Sequence, residues 1–264
     1  MARTSGIRVV LVRPRRGGNV GQVARAMKNM GLGELVLVAP RTPVGASAEH
    51  MAAHARDVLR ARRTVPDLAT ALADTTLAIG TVGRETTPRA RLEAPRDLAP
   101  DVVAHGARGR VALVFGPEDH GLSNADLDRC QRLVRIPTAG DYASLNLAQA
   151  VLICAYELHL AGGVGPGPPR RVPGRRRAER AGDVRPATGA ESEALFSHLE
   201  SALSGVGFLS PQNPSHIMRD VRALFGRGGL TRRDVKVWRG IARQVSWAAR
   251  AITGEGGGSS RRRR

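Results

Sequence analysis

The chain has 264 residues, of which 42% are hydrophobic and only 3% aromatic, so its core must be built mainly from Val, Leu, Ala and Ile. The formal net charge of +18 favours a polyanionic partner, with nucleic acid as the first candidate. No apolar run approaches the roughly 20 residues of a membrane span, and the N-terminus lacks the apolar region of a signal peptide. These features exclude a membrane-spanning protein and predict a soluble, cytoplasmic one.

Five short apolar runs in the first 160 residues predict the strands of a parallel sheet. They are rich in Val, Leu and Ile without polar alternation, which is typical of strands buried on both faces. They span residues 7–12, 34–39, 76–80, 111–115 and 133–136. Helical spacing predicts helices at about 20–30, 46–63, 67–73, 123–132 and 145–160. This alternation predicts an α/β domain over residues 1–161.

A change of composition follows this domain. Residues 162–187 are rich in Gly, Pro and Arg without apolar periodicity, and we expect a flexible linker there. Thr188 with Glu191 three residues on has capping-box spacing and begins a helical extension over 188–253. Further helices are predicted at 214–225 and 231–251. Residues 254–264 end in four arginines and are predicted to be a disordered basic tail.

The two cysteines, Cys130 and Cys154, each lie in an apolar helical pattern. In a cytoplasmic protein this placement favours buried free thiols over a disulfide or a metal site. We therefore expect neither thiol to take part in chemistry.

A glycine-rich turn, GGNVGQVAR, follows the first predicted strand. Its spacing does not match the G-x-G-x-x-G turn that binds a dinucleotide pyrophosphate. Asn19 could act as a helix N-cap, and Arg25 lies about two turns into the helix. Taken alone, this turn is explained equally well by capping and solvation and by binding of a ligand.

A second polar stretch, VFGPEDHGLSNADL, follows the fourth predicted strand. Glu118, Asp119 and His120 could bind a metal, but adjacent residues in one turn rarely converge on one ion. An acid/base pair is also possible, although neighbouring side chains point apart. In the simplest interpretation one carboxylate faces a ligand, while Ser123 or Asn124 caps the next helix. No G-x-S-x-G elbow surrounds Ser123, so it is not a hydrolase nucleophile.

The third polar stretch follows the fifth predicted strand and carries Tyr142, Ser144 and Asn146 into an apolar helix. An unpaired buried amide is costly, so Asn146 needs a ligand or a neighbouring loop as partner. Ser144 could serve as the N-cap. All three stretches lie at carboxyl ends of predicted parallel strands, where open α/β sheets bind ligands.

Taken together, these stretches resemble the three motifs of the SpoU/TrmH branch of the SPOUT RNA methyltransferases. The matching segments are NVGQVARAMKNMG, LVFGPEDHGLS and IPTAGDYASLNLAQAVLICAYEL. Residues 196–241 resemble the C-terminal helical extension of the TrmJ subgroup, whose members methylate the ribose 2′-hydroxyl of the first anticodon-loop nucleotide of tRNA.

The resemblance implies a parallel-sheet domain with a deep trefoil knot, an exception to unknotted topology. It also implies S-adenosylmethionine as cofactor, RNA as partner and a homodimer with its sites near the interface, without a metal. Backbone groups of three loops would hold a cofactor that lacks pyrophosphate. The implied cofactor residues are Thr81, Val82, Gly83, Gly116, Ile136, Ala143, Ser144, Leu145 and Asn146.

The resemblance also implies the catalytic residues. A guanidinium stays protonated at neutral pH and is therefore a poor base, so we expect Arg25 to anchor the adjacent phosphate and stabilise developing oxyanion charge. Asn19, Glu118, Ser144 and Asn146 would orient Arg25, the ribose and the cofactor.

The implied RNA contacts, besides Arg25, are Arg84, Arg89 and Arg91. Their spacing departs from the more compact loop of the TrmJ subgroup, so an exposed loop without RNA contacts is the alternative.

Three other functions stay open on the sequence. Related enzymes of the same chemistry act on ribosomal RNA, and a protein of this fold could bind RNA without catalysis. The intact Asn19, Arg25, Glu118, Ser144 and Asn146 argue against loss of catalysis. A nucleotide-dependent oxidoreductase is disfavoured because G-x-G-x-x-G and an acidic residue after the second strand are both absent.

Overall fold

The computed structural model of the chain describes residues 6–83, 92–139, 144–163, 185–209, 214–226 and 228–252. It divides into two compact units, Met1–Ala178 and Glu179–Arg264. Most of the predicted linker and all of the predicted basic tail lie outside the described residues.

A parallel sheet of seven strands forms the centre of the first unit within the described ranges. Its order is β3-β2-β1-β6-β4-β7-β5, and every neighbouring pair runs parallel. The strands are β1 (Ile7–Val12), β2 (Glu34–Val38), β3 (Arg63–Val65), β4 (Leu77–Thr81), β5 (Leu92–Glu93), β6 (Val111–Phe115) and β7 (Arg132–Val134). The predicted α/β class with a parallel sheet is therefore confirmed.

Alternate residues of β1 enter two separate apolar clusters. Val9 and Leu11 belong to the larger cluster, which includes side chains from α1, α5 and α7. Val10 and Val12 belong to a smaller cluster that includes side chains from α4. Because both faces of the strand are covered, its sequence shows no polar alternation, as predicted.

Arg8 is the polar exception within β1, since its side chain is completely buried. Its guanidinium donates to both carboxylate oxygens of Asp74, at 2.7 and 3.0 Å, and pairs with Glu34 at 2.7 Å. A buried charge is tolerated only when it is paired and hydrogen-bonded. Since Arg8 is the second residue of its strand, this ion-pair cluster lies toward the amino edge of the sheet.

Helices cover both faces of the sheet. Those of the first unit are α1 (Gly17–Asn29), α2 (Ala46–Ala52), α3 (Arg56–Arg60), α4 (Leu68–Leu72), α5 (Pro95–Gly106), α6 (Asn124–Leu127) and α7 (Leu147–Ala161), with a 3₁₀ turn at Ala53–Ala55. The predicted apolar helix α7 packs against α1 and α5. None of the helices in the described part of the chain is long and apolar enough to cross a membrane.

Two predicted helices are shorter in the structure than their sequence patterns indicated. The one predicted over 46–63 is interrupted at Ala53, whose φ of 49° lies in the left-handed region, and the chain enters β3 at Arg63. The one predicted over 123–132 ends at Leu127, and Arg132 begins β7. The short strands β3 and β5 lack an apolar signature because they close the two edges of the sheet.

The second unit consists, in its described part, of three helices: α8 (Gly189–Gly205), α9 (Pro214–Gly226) and α10 (Arg232–Ile252). The predicted capping box of Thr188 and Glu191 begins α8. An apolar cluster that includes Leu195, Met218 and Val235 joins the three helices.

Candidate active site

The order of the strands brings the polar stretches together. Strands β1, β6, β4 and β7 are successive neighbours, so their carboxyl ends meet at one edge of the sheet. The loops that leave these four ends hold the residues that the sequence singled out.

Asn19 is the third residue of α1 and its side chain faces the interior, with 9% of the residue exposed. The helix begins at Gly17 and its N-cap is Arg16, so the predicted capping role of Asn19 is wrong. Its Nδ2 instead donates to Oε1 of Glu118 at 2.8 Å, and its Oδ1 accepts from Nδ2 of Asn146 at 3.1 Å. Asn19 therefore joins the second and third motif loops.

Asn146 is the N-cap of α7, a role that the sequence left to Ser144. Its Oδ1 accepts from the backbone N–H of Ala148 at 2.8 Å, and Gln149 completes a capping box. Asn146 is exposed rather than buried as predicted, and its Nδ2 still has a protein partner in Asn19, from a neighbouring element and 127 residues away in sequence. Ser144 is exposed.

The two ends of this hydrogen-bonded chain fix its direction. At one end the helix N–H of Ala148 requires the oxygen of Asn146, which leaves the nitrogen of Asn146 for Asn19. At the other end the carboxylate of Glu118 only accepts, from Asn19 through Oε1 and from the backbone N–H of Arg15 through Oε2 at 3.0 Å. Both amides are thus held in one orientation, so the site is pre-organised.

Two arginines that the sequence analysis did not select hold the second motif loop against the first. Arg15 pairs with Asp119, and Arg13 donates to Asp126. The sequence does contain a signal for these contacts, since the basic run RPRR lies between β1 and α1, at the same sheet edge as the acidic second motif. Since Asp119 faces Arg15 while Glu118 faces Asn19, the two adjacent carboxylates point to different partners.

Asp126 also completes the cap of α6. Ser123, one of the two predicted candidates, is its N-cap, and Asp126 accepts from the Ser123 backbone N–H at 3.0 Å and from its hydroxyl at 2.6 Å. Burial alone would raise the pKa of Asp126, but the hydrogen bonds from Ser123 and Arg13 outweigh it and hold that pKa below its ordinary value. Asp126 is therefore ionised in the folded protein at neutral pH.

A cavity of about 440 Å³ opens where the loops after β4, β6 and β7 meet. Its lining within the described ranges contains the carboxylates of Glu118 and Asp119 and neither lysine nor arginine. Of the predicted cofactor residues, seven line it: Thr81, Val82, Gly83, Gly116, Ile136, Ser144 and Leu145.

A second cavity, of about 480 Å³, adjoins the first, and its known lining is more polar. The two cavities share Glu118, Asp119, Ser144 and Leu145. The second cavity adds Asn19 and Asn146, together with Arg15 and Arg16. Of the hydrogen-bonded chain, Glu118 thus lines both cavities, while Asn19 and Asn146 line the second, which holds two arginines as well as the two carboxylates.

Arg25 does not join this cluster. It is exposed on α1, lines neither cavity and makes no hydrogen bond or ion pair with the described residues. Ala143 and the predicted RNA-binding residues Arg84, Arg89 and Arg91 lie outside the described residues. Their predicted roles therefore stay predictions.

Neither thiol nor metal chemistry is evident at the site within the described ranges. Those residues contain no group of three or more His, Cys, Asp or Glu side chains that could hold a metal ion. Cys130 and Cys154 are free thiols, and burial raises the pKa of each to about 12. Thiols with so high a pKa are poor nucleophiles at neutral pH.

Comparison with known families gives two matches along the chain. The model of the SpoU rRNA methylase family matches residues 6–156, and that of the C-terminal domain of the tRNA methyltransferase TrmJ matches residues 190–255.

Individual proteins resemble nearly the whole chain. It is 39% identical over 248 residues to the tRNA (cytidine/uridine/adenosine-2′-O-)-methyltransferase TrmJ of Pseudomonas aeruginosa, covering 94% of this chain and 96% of that protein. It is 36% identical to the tRNA (cytidine/uridine-2′-O-)-methyltransferase TrmJ of Sodalis glossinidius, covering 90% and 91%. The crystal structure of TrmJ from Z. mobilis superposes with a TM-score of 0.74 at 31% identity, covering 90% of this chain and 98% of that one.

Proposed function

The chain belongs to the SpoU methylase family, and we propose that it is an S-adenosylmethionine-dependent tRNA ribose 2′-O-methyltransferase of the TrmJ type. The two family matches confirm the resemblance that the three motifs and the helical extension indicated. Named tRNA 2′-O-methyltransferases align with nearly the full length of the chain, including the helical extension. The similarity therefore supports tRNA as the substrate of the whole protein and not only methyl transfer by its first domain.

The cofactor cavity fits S-adenosylmethionine better than a nucleotide with a pyrophosphate. S-adenosylmethionine carries a cationic sulfonium, an ammonium group and a carboxylate but no phosphate, and the known lining of the cavity has two carboxylates and neither lysine nor arginine. When bound, this cofactor supplies an electrophilic methyl group. The loops at Thr81–Gly83, Gly116 and Ile136 and the segment Ser144–Asn146 would hold it.

Gly116 is required for the shape of this cavity. A Cβ added there would lie 2.2 Å from the backbone of Gly121 and Leu122. The turn after β6 therefore closes on itself only because residue 116 has no side chain. We infer that this close packing positions Glu118 for contact with Asn19.

The observation that carries the proposal is the hydrogen-bonded chain of Glu118, Asn19 and Asn146 between the two cavities. The first cavity would hold the methyl donor, and the second cavity, where Arg15 and Arg16 lie, would hold the ribose and its phosphate. Ser144 and Leu145 line both cavities and would contact both reactants. Holding donor and hydroxyl in line accounts for much of the rate advantage.

Arg25 requires a second subunit in this mechanism. It lies away from the cavities of its own chain, yet the motif places it among the catalytic residues. In the homodimer that the family implies, Arg25 of one protomer would reach the second cavity of its partner. There it would bind the adjacent phosphate and stabilise the charge developing on the ribose oxygen.

Other features that the family implies accompany the proposal. The C-terminal part of the first domain would form the trefoil knot of SPOUT methyltransferases. The domain limits at 161, 187 and 253 and a cytoplasmic location, where tRNA is found, belong to the same proposal.

The target within tRNA is the first nucleotide of the anticodon loop, by similarity to the TrmJ subgroup. A second candidate substrate is ribosomal RNA, which the description of the SpoU family names. The helical extension favours tRNA, because its match is to the C-terminal domain of a tRNA methyltransferase.

The deciding experiment is mass-spectrometric mapping of ribose methylation. Purified protein and S-adenosylmethionine are incubated with an unmodified tRNA transcript and, separately, with ribosomal RNA from a strain that lacks the enzyme. We expect one 2′-O-methylated ribose in the anticodon loop and no new modification of ribosomal RNA. The reverse pattern would select the ribosomal substrate, and calorimetric binding of NAD instead of S-adenosylhomocysteine would overturn the proposal.

A further inference from the structure

Helix α10 carries a row of exposed basic and aromatic side chains along one face. A residue advances about 100° around an α-helix, so positions spaced by three or four residues stay within an arc of about 80° over four turns. The members of this row, which we call the basic stripe, are Lys236, Arg239, Arg243, Trp247 and Arg250, and all five are exposed.

A different face of α10 packs into the second unit. Val235, Ala242 and Ala249 repeat at intervals of seven residues and are buried against the helical core. The helical core therefore uses a different face of α10 from the basic stripe. The helix contains six basic residues and one acidic residue, Asp234, which lies in its first turn.

The two tryptophans of the chain have different environments. Trp238 makes an edge-to-face contact with Phe225, with ring centroids 5.1 Å apart. Trp247 is 64% exposed, and two arginines, Arg243 and Arg250, lie one turn before and after it on the same face. A flat, exposed aromatic ring between cations is the arrangement that stacks on a nucleic-acid base while its neighbours bind phosphates.

Gly240 provides an independent indication that a ligand approaches this face. It lies in the interior of α10 beside the stripe, where glycine destabilises a helix relative to alanine. A Cβ added there would meet nothing within 4 Å, so packing among the described residues does not require glycine. An absent side chain does let a bulky partner come close to the helix backbone.

We propose that the basic stripe of α10 is a docking surface for tRNA, with Trp247 stacked on an unpaired base and the flanking cations on the phosphate backbone. This inference rests on the proposed function and deepens it, because it assigns substrate recognition to particular residues of the helical extension. Arg239 and Arg243 make no hydrogen bond or ion pair with other described residues, so they can bind phosphates without breaking an existing contact.

The test uses the full-length protein and an unmodified tRNA transcript. Arg239→Glu and Arg243→Glu should each raise the Kd for tRNA about 10-fold and raise the KM for tRNA in the methylation assay. The matched control is Arg233→Glu, an equal charge change on the same helix. It is exposed and lies about 120° around the axis from Arg239, and it should change Kd less than about twofold.

The number of phosphate contacts made by Arg239 and Arg243 can be measured from the salt dependence of tRNA binding. The double variant Arg239→Ala, Arg243→Ala should lower the slope of log K against log salt by roughly 0.7 to 0.9 for each lost contact. An unchanged slope would overturn the assignment of these arginines to the RNA backbone.

Fluorescence isolates the stacking residue. In a Trp238→Phe background the only tryptophan is Trp247, and we expect tRNA to quench its emission. Trp247→Ala should weaken binding at least about fivefold, whereas Gly240→Ala should raise Tm and still weaken tRNA binding. The proposal would be contradicted if Gly240→Ala raised Tm but bound tRNA as tightly as wild type. It would also be contradicted if tRNA did not quench the emission of Trp247.

The outcomes separate this inference from the function on which it rests. If the wild-type protein methylates no tRNA, the proposed function fails. If it methylates tRNA while the stripe variants bind tRNA as well as wild type, the stripe is not the docking surface. A stripe that instead joins two copies of the chain would show as a lower oligomeric mass of Trp247→Ala with unchanged tRNA affinity, and this result would overturn the proposal.

Discussion

Asn19 and Glu118 are hydrogen-bonded at 2.8 Å although they lie 99 residues apart in the sequence. The contact joins the first helix of the α/β domain to the loop after its central strand β6. With Oε1 of Glu118 bound to Asn19, the other carboxylate oxygen, Oε2, accepts from the backbone N–H of Arg15. Glu118 thus accepts from two donors, one in α1 and one in the turn just before it.

Glu118→Gln tests this double acceptance. A glutamine amide has one oxygen, so it can satisfy either Asn19 or the Arg15 N–H while its own nitrogen meets the other donor. Hydrogen bonds to charged groups contribute about 1.5–3 kcal/mol, so we expect kcat to fall roughly 10- to 100-fold. Steady-state methylation kinetics measure this fall, with Glu49→Gln, at a half-exposed position of α2 that lines neither cavity, as the control. Wild-type kcat in Glu118→Gln would show that the contact is dispensable.

Arg25 is expected to act in the site of a partner subunit. Arg25→Ala should reduce kcat by about 100-fold, the usual effect of removing one transition-state donor, while tRNA binding is largely kept. Mixing Arg25→Ala with Asn19→Ala protein should restore part of the activity, because one of the two sites in a mixed dimer has both residues intact. Failure of the mixture to regain activity, with subunit exchange verified by mass, would place both residues in one protomer.

Gly116 and Gly83 both line the cofactor cavity but differ in the space around them. A Cβ at residue 116 would lie 2.2 Å from backbone atoms, whereas one at residue 83 would meet nothing within 4 Å. We expect Gly116→Ala to abolish measurable binding of S-adenosylhomocysteine and Gly83→Ala to change it less than about fivefold. Isothermal calorimetry compares them, and equal effects would contradict this account of the turn.

Asp126 gives the protein a defined acid sensitivity. Its pKa is depressed in the folded state, so its contribution to stability is present above its ordinary value near 4 and is lost as the pH falls through the folded value. Asp126→Asn should reduce the free energy of unfolding by about 1–3 kcal/mol at pH 7. Urea denaturation at several pH values measures the difference.

The difference between Asp126→Asn and wild type should begin to shrink as the pH falls below about 4, because the carboxyl group then takes up a proton in the unfolded state before it does so in the folded state. Glu200→Gln, at an exposed position of α8, is the control and should change stability little at any pH. A constant difference between Asp126→Asn and wild type across this range would exclude the charge of Asp126 as its cause.

Cys130 and Cys154 should not react with alkylating reagents in the native protein. Burial raises the pKa of each thiol to about 12, so only a very small fraction is thiolate at pH 8. Iodoacetamide should therefore label neither cysteine under native conditions and both in urea, as read by mass spectrometry. Rapid native labelling of either residue would show that its segment opens locally.

The sheet could be predicted from the sequence because a buried strand is recognised from its own consecutive residues. Buried parallel strands have apolar side chains on both faces, so β1 and β6 were found with their observed limits, residues 7–12 and 111–115. The edge strands β3 and β5 were missed because a strand of two or three residues has no periodicity to read. The interruption of the helix at Ala53 was missed because nothing in its residue type signals a positive φ.

The sequence by itself determined which segments carry the chemistry, since polar residues after apolar strands mark the carboxyl edge of a parallel sheet. Only the tertiary structure decided the partners. Because α1 begins at Gly17, Asn19 lies inside the helix and not at its cap, and its side chain bonds to both Glu118 and Asn146. Because β1 and β6 are neighbours, Arg13 lies within hydrogen-bond distance of Asp126. Hydrogen bonds between residues about a hundred positions apart depend on strand order and helix phase, which local patterns of residues do not encode.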